Sequence, residues 1–417
     1  MALPTYSAAD FLDRLGICTQ VDKPNTPYTD PAATIRALQL LGVRHLRDCL
    51  QSEAAMPSFE RVAKATGAKF NLFMAPGAPE WGEASLGYAT TFAKATGLVE
   101  SLEGVNEPDT AYSTGSGNSP ALAAKFQEKV HAAAQGLKVP ALASAYGAGW
   151  DKPGGTYGQV GDLSKACEFG NFHAYTYGNQ TPANLLRAGM GWARLQTPVR
   201  DIALTEWGFH TDGDKGDVNV MPPVVAGVCF WKGLFEAIQL GYRRMYAFEL
   251  FDEQTPLNPR SENSFGLFWA DGTPKPAANL WRNIAGKLAG ASLDKVRPLD
   301  CTVAGLKPNH GLLALQVTAT RYVLAVYDND LHYLPESGTY LPPANNRISL
   351  TFASPVRARR YDPRSGEEVG LPEGSEVAVN FSYVPTLYTV DLLGEPTFTA
   401  GEVAGLLQRY LASGRKI

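Results

Sequence analysis

Two glutamates carry the strongest chemical signal in this sequence. Glu107 closely follows the run Leu102–Val105, and Glu206 closely follows Ile202–Leu204. Both runs are short and β-like, so each acid is expected at a strand end. Two carboxyl groups facing each other about 5–5.5 Å apart can hydrolyse a glycosidic bond with retention. One protonates the leaving oxygen and the other attacks the anomeric carbon. A single glutamate at a strand end is ordinarily a solvated rim residue. Two of them, each with polar or aromatic helpers alongside, shift the reading towards catalysis. Other β-like runs also end in reactive residue types: Arg47-Asp48, His173-Ala-Tyr175 and Glu249-Leu-Phe251-Asp252-Glu253. Of the six histidines only His173 stands at such an end, and no CxxC or HxxxH spacing occurs. No metal site and no organic cofactor are therefore expected.

Something must hold these run ends on one face. The first 290 residues alternate short apolar runs with longer helical ones. The expected strands are Leu15–Thr19, Val43–Asp48, Lys69–Met74, Leu102–Asn106, Ala141–Ser144, Phe169–Tyr175, Ile202–Glu206 and Arg243–Leu250. They recur at about one βαβ unit each, roughly 30 residues. Eight such units predict an α/β fold, a (β/α)8 barrel, whose reactive residues gather at the C-terminal strand ends. The fourth and seventh strands lie across the barrel from each other, so Glu107 and Glu206 can face each other. A doubly wound sheet is the alternative, but Gly16-Ile-Cys-Thr-Gln-Val-Asp offers no glycine-rich phosphate turn. Beyond about residue 290 the texture changes to short alternating strands separated by turn clusters. Residues 291–395 are expected to form a small antiparallel β-sandwich, with strands Leu312–Val317, Arg321–Tyr327, Arg347–Phe352, Ala358–Asp362, Glu376–Asn380 and Leu387–Asp391. Residues 396–417 read as a C-terminal amphipathic helix.

Composition excludes several classes. The 417 residues carry 37 Lys+Arg against 41 Asp+Glu, a net charge of −4, so no basic footprint for nucleic acid exists. No window is a continuous apolar stretch long enough for a spanning helix, so membrane insertion is not expected. The first residues lack a basic n-region and an apolar h-region. The expected location is thus the cytoplasm, or outside it for a protein seen without its leader. The five cysteines are scattered and are expected to pack as small apolar residues.

At this point a resemblance becomes clear. Val105-Asn106-Glu107-Pro108-Asp109 resembles the acid/base signature of glycoside hydrolase clan A, and Leu204-Thr205-Glu206-Trp207-Gly208 resembles its nucleophile signature. Phe265-Gly-Leu-Phe-Trp-Ala-Asp-Gly-Thr-Pro-Lys-Pro-Ala is similar to the stretch leading into the last barrel helix of the clan. Barrel plus sandwich resembles families 39 and 79 and bacterial exopolysaccharide hydrolases. The resemblance implies a retaining glycosidase with Glu107 as acid/base and Glu206 as nucleophile. It implies that Asn106 bonds the sugar 2-hydroxyl, that Arg47 keeps the nucleophile ionised and that the Tyr175 hydroxyl orients it, with His173 alongside. Each helper has a second reading: Arg47 as a rim salt bridge to Asp48, His173 and Tyr175 as a buried aromatic cluster. The eighth strand lacks the tryptophan that floors the first sugar subsite in many clan members. Phe248, Phe251 or Trp269 is available to replace it. Glu249 either bonds sugar hydroxyls or pairs with Arg244 or Arg260.

Aromatic faces suit the apolar C–H surface of sugars. Trp81, Tyr112, Tyr146, Trp150 and Tyr177 stand on expected βα loops, Tyr146 and Trp150 in the glycine-rich Ala145–Gly158 segment. Either they contact carbohydrate or they pack on the barrel rim. Trp207 should point away from Glu206. Long loops after the fourth, fifth and seventh strands favour an open groove and endo action on a polysaccharide. An exo-acting glycosidase, a non-catalytic carbohydrate-binding protein and a metal-assisted hydrolase are the alternatives.

Overall fold

The structure is a computed structural model that describes residues 3–148, 155–176, 180–212, 220–253, 263–291, 295–334, 337–342 and 345–393. The expected helix over 396–417, Trp150 and Tyr177 lie outside the described residues. Strand β1 (Thr5–Ser7) and helix α1 (Ala8–Arg14) precede a closed barrel of eight parallel strands. These are β2 (Leu15–Cys18), β3 (His45–Asp48), β4 (Lys69–Met74), β5 (Val99–Val105), β6 (Ala141–Leu142), β7 (Phe169–Tyr175), β8 (Asp201–Gly208) and β9 (Met245–Ala247). Pairing of Leu15 with Met245 and of Ile17 with Ala247 closes the ring. All eight expected strands are present, and two, β4 and β7, have the expected bounds.

The helices between them start and stop where the chain says they must. Helix α2 (Pro31–Leu41) is typical: Asp30 caps it through Ala32 N at 2.8 Å, proline fills its first turn, and Gly42 ends it in a left-handed conformation (φ 68°). Helices α3 (Met56–Thr66), α4 (Pro79–Thr96), α5 (Ala111–Gly115), α6 (Pro120–Leu137), α7 (Thr156–Gln159) and α8 (Pro182–Gln196) follow in order. Helices α9 (Pro223–Leu240) and α10 (Pro276–Leu288) complete the wall.

The second unit is one hydrogen-bonded eight-stranded sheet, which includes β1, beside a separate two-stranded pair. Its strands are β10 (Cys301–Ala304), β11 (His310–Gln316), β12 (Arg321–Asp328), the small pair β13 (Tyr333–Leu334) and β14 (Thr339–Tyr340), β15 (Asn346–Asp362), β16 (Glu367–Gly370), β17 (Gly374–Phe381) and β18 (Thr386–Leu392). The expected strands 347–352 and 358–362 are one strand, β15, whose register shifts between Thr351 and Val356. Pro355 lies in that gap and has no N–H to donate, which accounts for the break. The first half of β15 pairs with β10 and β17, the second with β16 and β18. Ile348, Leu350, Val379 and Phe381 meet Leu324, Val326, Ala358 and Val390 in the core of this unit. The first residues of the chain also join it: β1 runs parallel to β11, with Thr5 opposite Ala314.

The other face of that sheet is not solvated. Leu313, Leu315, Val323, Ala325, Tyr327 and Leu387 belong to the same hydrophobic cluster as the barrel wall. Helix α9 lies between the two. By length and composition it is apolar enough to cross a membrane, yet its side chains are mostly buried because it has protein on both sides. Tyr327 stacks on Phe235 with ring centroids 5.8 Å apart, and its hydroxyl donates to buried Glu236 Oε1 at 2.8 Å. Asn329 donates to the same oxygen at 2.9 Å, and Asn283 Nδ2 donates to the Pro363 carbonyl at 2.7 Å. These contacts make one cooperative unit of barrel and sheet. Tyr327→Ala removes a buried ring and is expected to cost about 3–5 kcal/mol. Calorimetry should show one transition at a lower Tm; two separated transitions would contradict the shared core.

Candidate active site

The site is built on a polar layer inside the barrel. Glu103, in the middle of β5, is fully buried and accepts hydrogen bonds from Arg47 Nε (3.0 Å) and Nη2 (2.8 Å), Asn71 Nδ2 (2.6 Å), Asn171 Nδ2 (2.9 Å) and the Thr205 hydroxyl (3.2 Å). A buried carboxylate survives only when its lone pairs are satisfied in this way. The guanidinium of Arg47 is thereby locked, with its ring-facing side over Phe73, 4.3 Å from the centroid. Its remaining donors point upward: Nη1 to Glu206 Oε1 at 2.7 Å and Nη2 to Asn106 Oδ1 at 2.6 Å. Arg47 is therefore no rim partner of Asp48. That acid instead accepts from Thr19 Oγ1, Val21 N and Cys49 N and fixes the loop after β2.

Two local irregularities aim the glutamates. Register between β7 and β8 slips after Phe172–Leu204, so that His173 pairs with Glu206 and Thr205 is the extra residue. This bulge lets the consecutive residues Thr205 and Glu206 both face the barrel interior, which simple alternation forbids. Trp207 then points outward, as expected, and donates to the Phe230 carbonyl at 3.0 Å. On β5 the turn comes at Glu107 itself, a non-glycine residue with left-handed backbone (φ 43°). Its N–H donates to the Ala145 carbonyl, and its carbonyl accepts from Thr110 N and Oγ1. Gly147 makes room for the acid: a Cβ there would lie 2.7 Å from the Glu107 carboxyl carbon. Asp109 holds that loop in place, accepting from Gly147 N (2.9 Å), Ala148 N (3.0 Å) and Thr156 Oγ1 (3.0 Å).

The result is a compact constellation. His173 Nδ1 lies 2.8 Å from Glu107 Oε1 and 3.6 Å from Glu206 Oε2, while Nε2 meets the Thr205 hydroxyl at 3.0 Å. An oxygen of Glu107, an oxygen of Glu206 and this nitrogen all lie within 4.8 Å of one another. The Tyr175 hydroxyl donates to Glu206 Oε2. Burial pushes the Glu206 carboxyl up, but the pull of His173 and Arg47 and the hydrogen bonds from Tyr175 and Arg47 outweigh it and hold the group below the ordinary carboxylate range. The three residues have donor types that could touch a cation. Arg47 and Tyr175 already occupy both oxygens of Glu206, however, and the guanidinium would repel a second positive charge.

A cavity of about 1080 Å³ opens above these residues. The site residues named from the sequence are distributed as follows. Arg47, Asn106, Glu107, His173, Tyr175, Glu206 and Glu249 all line the cavity. Glu249 does not pair with Arg244, which bonds Asp13, and Arg260 lies outside the described residues; Tyr28 donates to Glu249 Oε2 at 3.0 Å. Burial and the nearby Glu253 push the Glu249 carboxyl well up. Tyr146 lines the cavity but is a wall residue, with its hydroxyl bound to Gln196 at 3.0 Å and its ring edge-on to Tyr157. Trp81 does not line this cavity: its ring sits over Gly77 beside Tyr112. The aromatic floor lacking a tryptophan is made by Phe248 with Phe265, each edge-on to Tyr175 at 6.0 and 5.4 Å. Phe251 is buried against Tyr28, and Trp269 lies under Lys275.

Sequence reasoning missed Glu103, Asn71 and Asn171, and gave no role to Asp109 or Gly147. A signal for the first three existed: each is a polar residue inside an otherwise apolar run. Phe265 and His210 stack at 5.2 Å and line the cavity; the sequence marked Phe265 only as the start of the stretch before the last barrel helix and gave His210 no role.

No protein-family model matches the chain, and no curated protein matches it. Solved structures do. A family 39 glycoside hydrolase from the gut symbiont Bacteroides cellulosilyticus WH2 superposes with a TM-score of 0.63 at 14% identity, over 94% of this chain and 83% of that one. A monomeric beta-xylosidase from Caulobacter crescentus CB15 gives 0.59 at 13% identity, covering 94% and 98%. The GH39 enzyme from Xanthomonas axonopodis pv. citri gives 0.58 at 15% identity, covering 93% and 96%. In architecture, from the barrel to the appended sheet, this chain has the family 39-like fold of glycoside hydrolase clan A.

Proposed function

We propose that this protein is a retaining glycoside hydrolase, with Glu107 as acid/base and Glu206 as nucleophile. The observation that carries the reading is the approach of the two carboxyl groups to within 4.8 Å across the cavity. Retaining enzymes hold their pair at about 5–5.5 Å, whereas inverting enzymes leave roughly 6.5–9.5 Å for a water. In the first step Glu107 gives its proton to the glycosidic oxygen as Glu206 attacks the anomeric carbon. The leaving sugar departs and a glycosyl ester on Glu206 remains. In the second step Glu107, now a carboxylate, takes a proton from water, which attacks the same carbon and frees Glu206.

The surroundings suit these roles. Arg47 and Tyr175 keep Glu206 ionised and fix both of its oxygens. Asn106 accepts from Arg47 through Oδ1, which leaves its amide nitrogen to donate to a sugar 2-hydroxyl. A cavity of about 1080 Å³ exceeds the roughly 300–1,000 Å³ of sites for drug-sized ligands, so its size favours an oligosaccharide over a single sugar. The similar solved structures include a beta-xylosidase and a xylanase, and a carbohydrate substrate is inferred for this chain on the same grounds. We infer endo action on a polysaccharide.

Reducing-end release from a polysaccharide and oligosaccharide panel tests the whole reading. Wild type should turn over at least one glycan to a ladder of oligosaccharides with retained anomeric configuration by NMR. Glu206→Gln should lose at least about 10³-fold in rate. Inverted product would refute double displacement, and monosaccharide as sole product would refute endo action. Glu107→Ala should slow natural glycosides at least about 10²-fold more than activated aryl glycosides, which need little acid assistance. Equal losses would remove Glu107 from the acid role. Tyr175→Phe removes a donor from ionised Glu206 and so raises its pKa. The acid limb of the kcat/KM–pH profile, set by loss of the carboxylate as pH falls, should move to higher pH; an unmoved limb would contradict the assignment.

A further inference from the structure

Outside the cavity, on the flank that carries Glu107, two aromatic rings stand in solvent. Trp81 is 45% exposed and Tyr112 60% exposed, with ring centroids 6.3 Å apart and planes inclined at 39°. Each comes from a different element, Trp81 from the first turn of α4 and Tyr112 from α5. Both rest on the same piece of backbone: a Cβ on Gly77 would lie 2.5 Å from the Trp81 ring and 3.4 Å from that of Tyr112. Gly77 follows Pro76, which lines the catalytic cavity. Helix α5 in turn begins at Thr110, whose N–H and hydroxyl bond the Glu107 carbonyl. The pair is thus attached by short chain segments to the acid on one side and to the cavity rim on the other. Large aromatic faces left in water beside a sugar cleft suit the apolar C–H faces of pyranoses.

Resting on the retaining-glycosidase reading above, we propose that Trp81 and Tyr112 form a subsite for the leaving-group side of the substrate, selecting glycans that extend beyond the cleaved bond. Direction follows from position. Glu107 protonates the departing oxygen, so the chain that leaves passes over the Glu107 flank, not the Glu206 flank. Neither ring belongs to the cavity lining, whereas Pro76 and Gly147 do, so the sugars that meet the rings are those that extend out of the cavity.

The test compares kcat/KM of wild type, Trp81→Ala, Tyr112→Ala and Trp81→Phe on two substrate types. One is an oligosaccharide series lengthened at the reducing end; the other is an aryl glycoside whose leaving group is too small to reach the rings. Wild type should improve with length. Each alanine variant should lose about tenfold on the longer oligosaccharides, mostly through KM, and less than about twofold on the aryl glycoside. Trp81→Phe, which keeps a flat face, should recover most of the loss. Both rings are exposed, so Tm should not move. Equal losses on both substrates, or no loss on the long ones, would overturn the subsite. A wild type inert towards both substrate types would overturn the glycosidase reading itself.

Discussion

A single buried cation organises this molecule's interior. Arg47 brings a full charge into the barrel, and an unpaired charge there would be costly by several kcal/mol. The structure satisfies it from two sides. Glu103 below accepts from Nε and Nη2, and Glu206 and Asn106 above accept from Nη1 and Nη2. The planar fork of a guanidinium is what allows this; a lysine in the same place could reach one side but could not hold both in fixed geometry. The position of the proposed nucleophile is therefore set from beneath, by a carboxylate that itself never meets substrate.

Glu103 and Glu206 share the Arg47 guanidinium, with His173 beside them. In the proposed reaction positive charge develops on the sugar in the oxocarbenium-like transition state. Side chains fixed in advance around Glu206 need no reorganisation as that charge appears. The opposing acid is treated differently. Glu107 has neither arginine nor tyrosine among its described partners, only His173 and the backbone fixed by Asp109 and Gly147. Two carboxyl groups of the same residue type thus sit in unlike settings, as acid and nucleophile roles require.

The appended sheet contributes to the same rigidity from outside. Helix α9 follows β8, the strand that bears Glu206, and is clamped between the barrel and β11, β12 and β18. Trp207, next to Glu206, inserts against Gly233 of that helix. The wall behind Glu206 is consequently packed on both faces.

The sequence by itself determined the order of elements. Period, proline starts, glycine stops and turn clusters are local properties, so the eight barrel strands and most of the sheet could be read from them. It also determined which run ends carry reactive groups, because Asn106, Glu107, His173, Tyr175 and Glu206 all abut apolar runs. Tertiary structure alone decided what those groups touch. Glu103, Asn71 and Asn171 come from three strands, and nothing local tells that both asparagines converge on Glu103 beneath Arg47. The bulge at Thr205 is a matter of register between neighbouring strands, so it leaves no trace in one strand's pattern. The joining of β1 to β11 and the single bent β15 are likewise long-range pairings. Trp81 shows the limit most plainly: its residue type and loop were readable, but its place outside the cavity depends on how Gly77 and Tyr112 meet it in space.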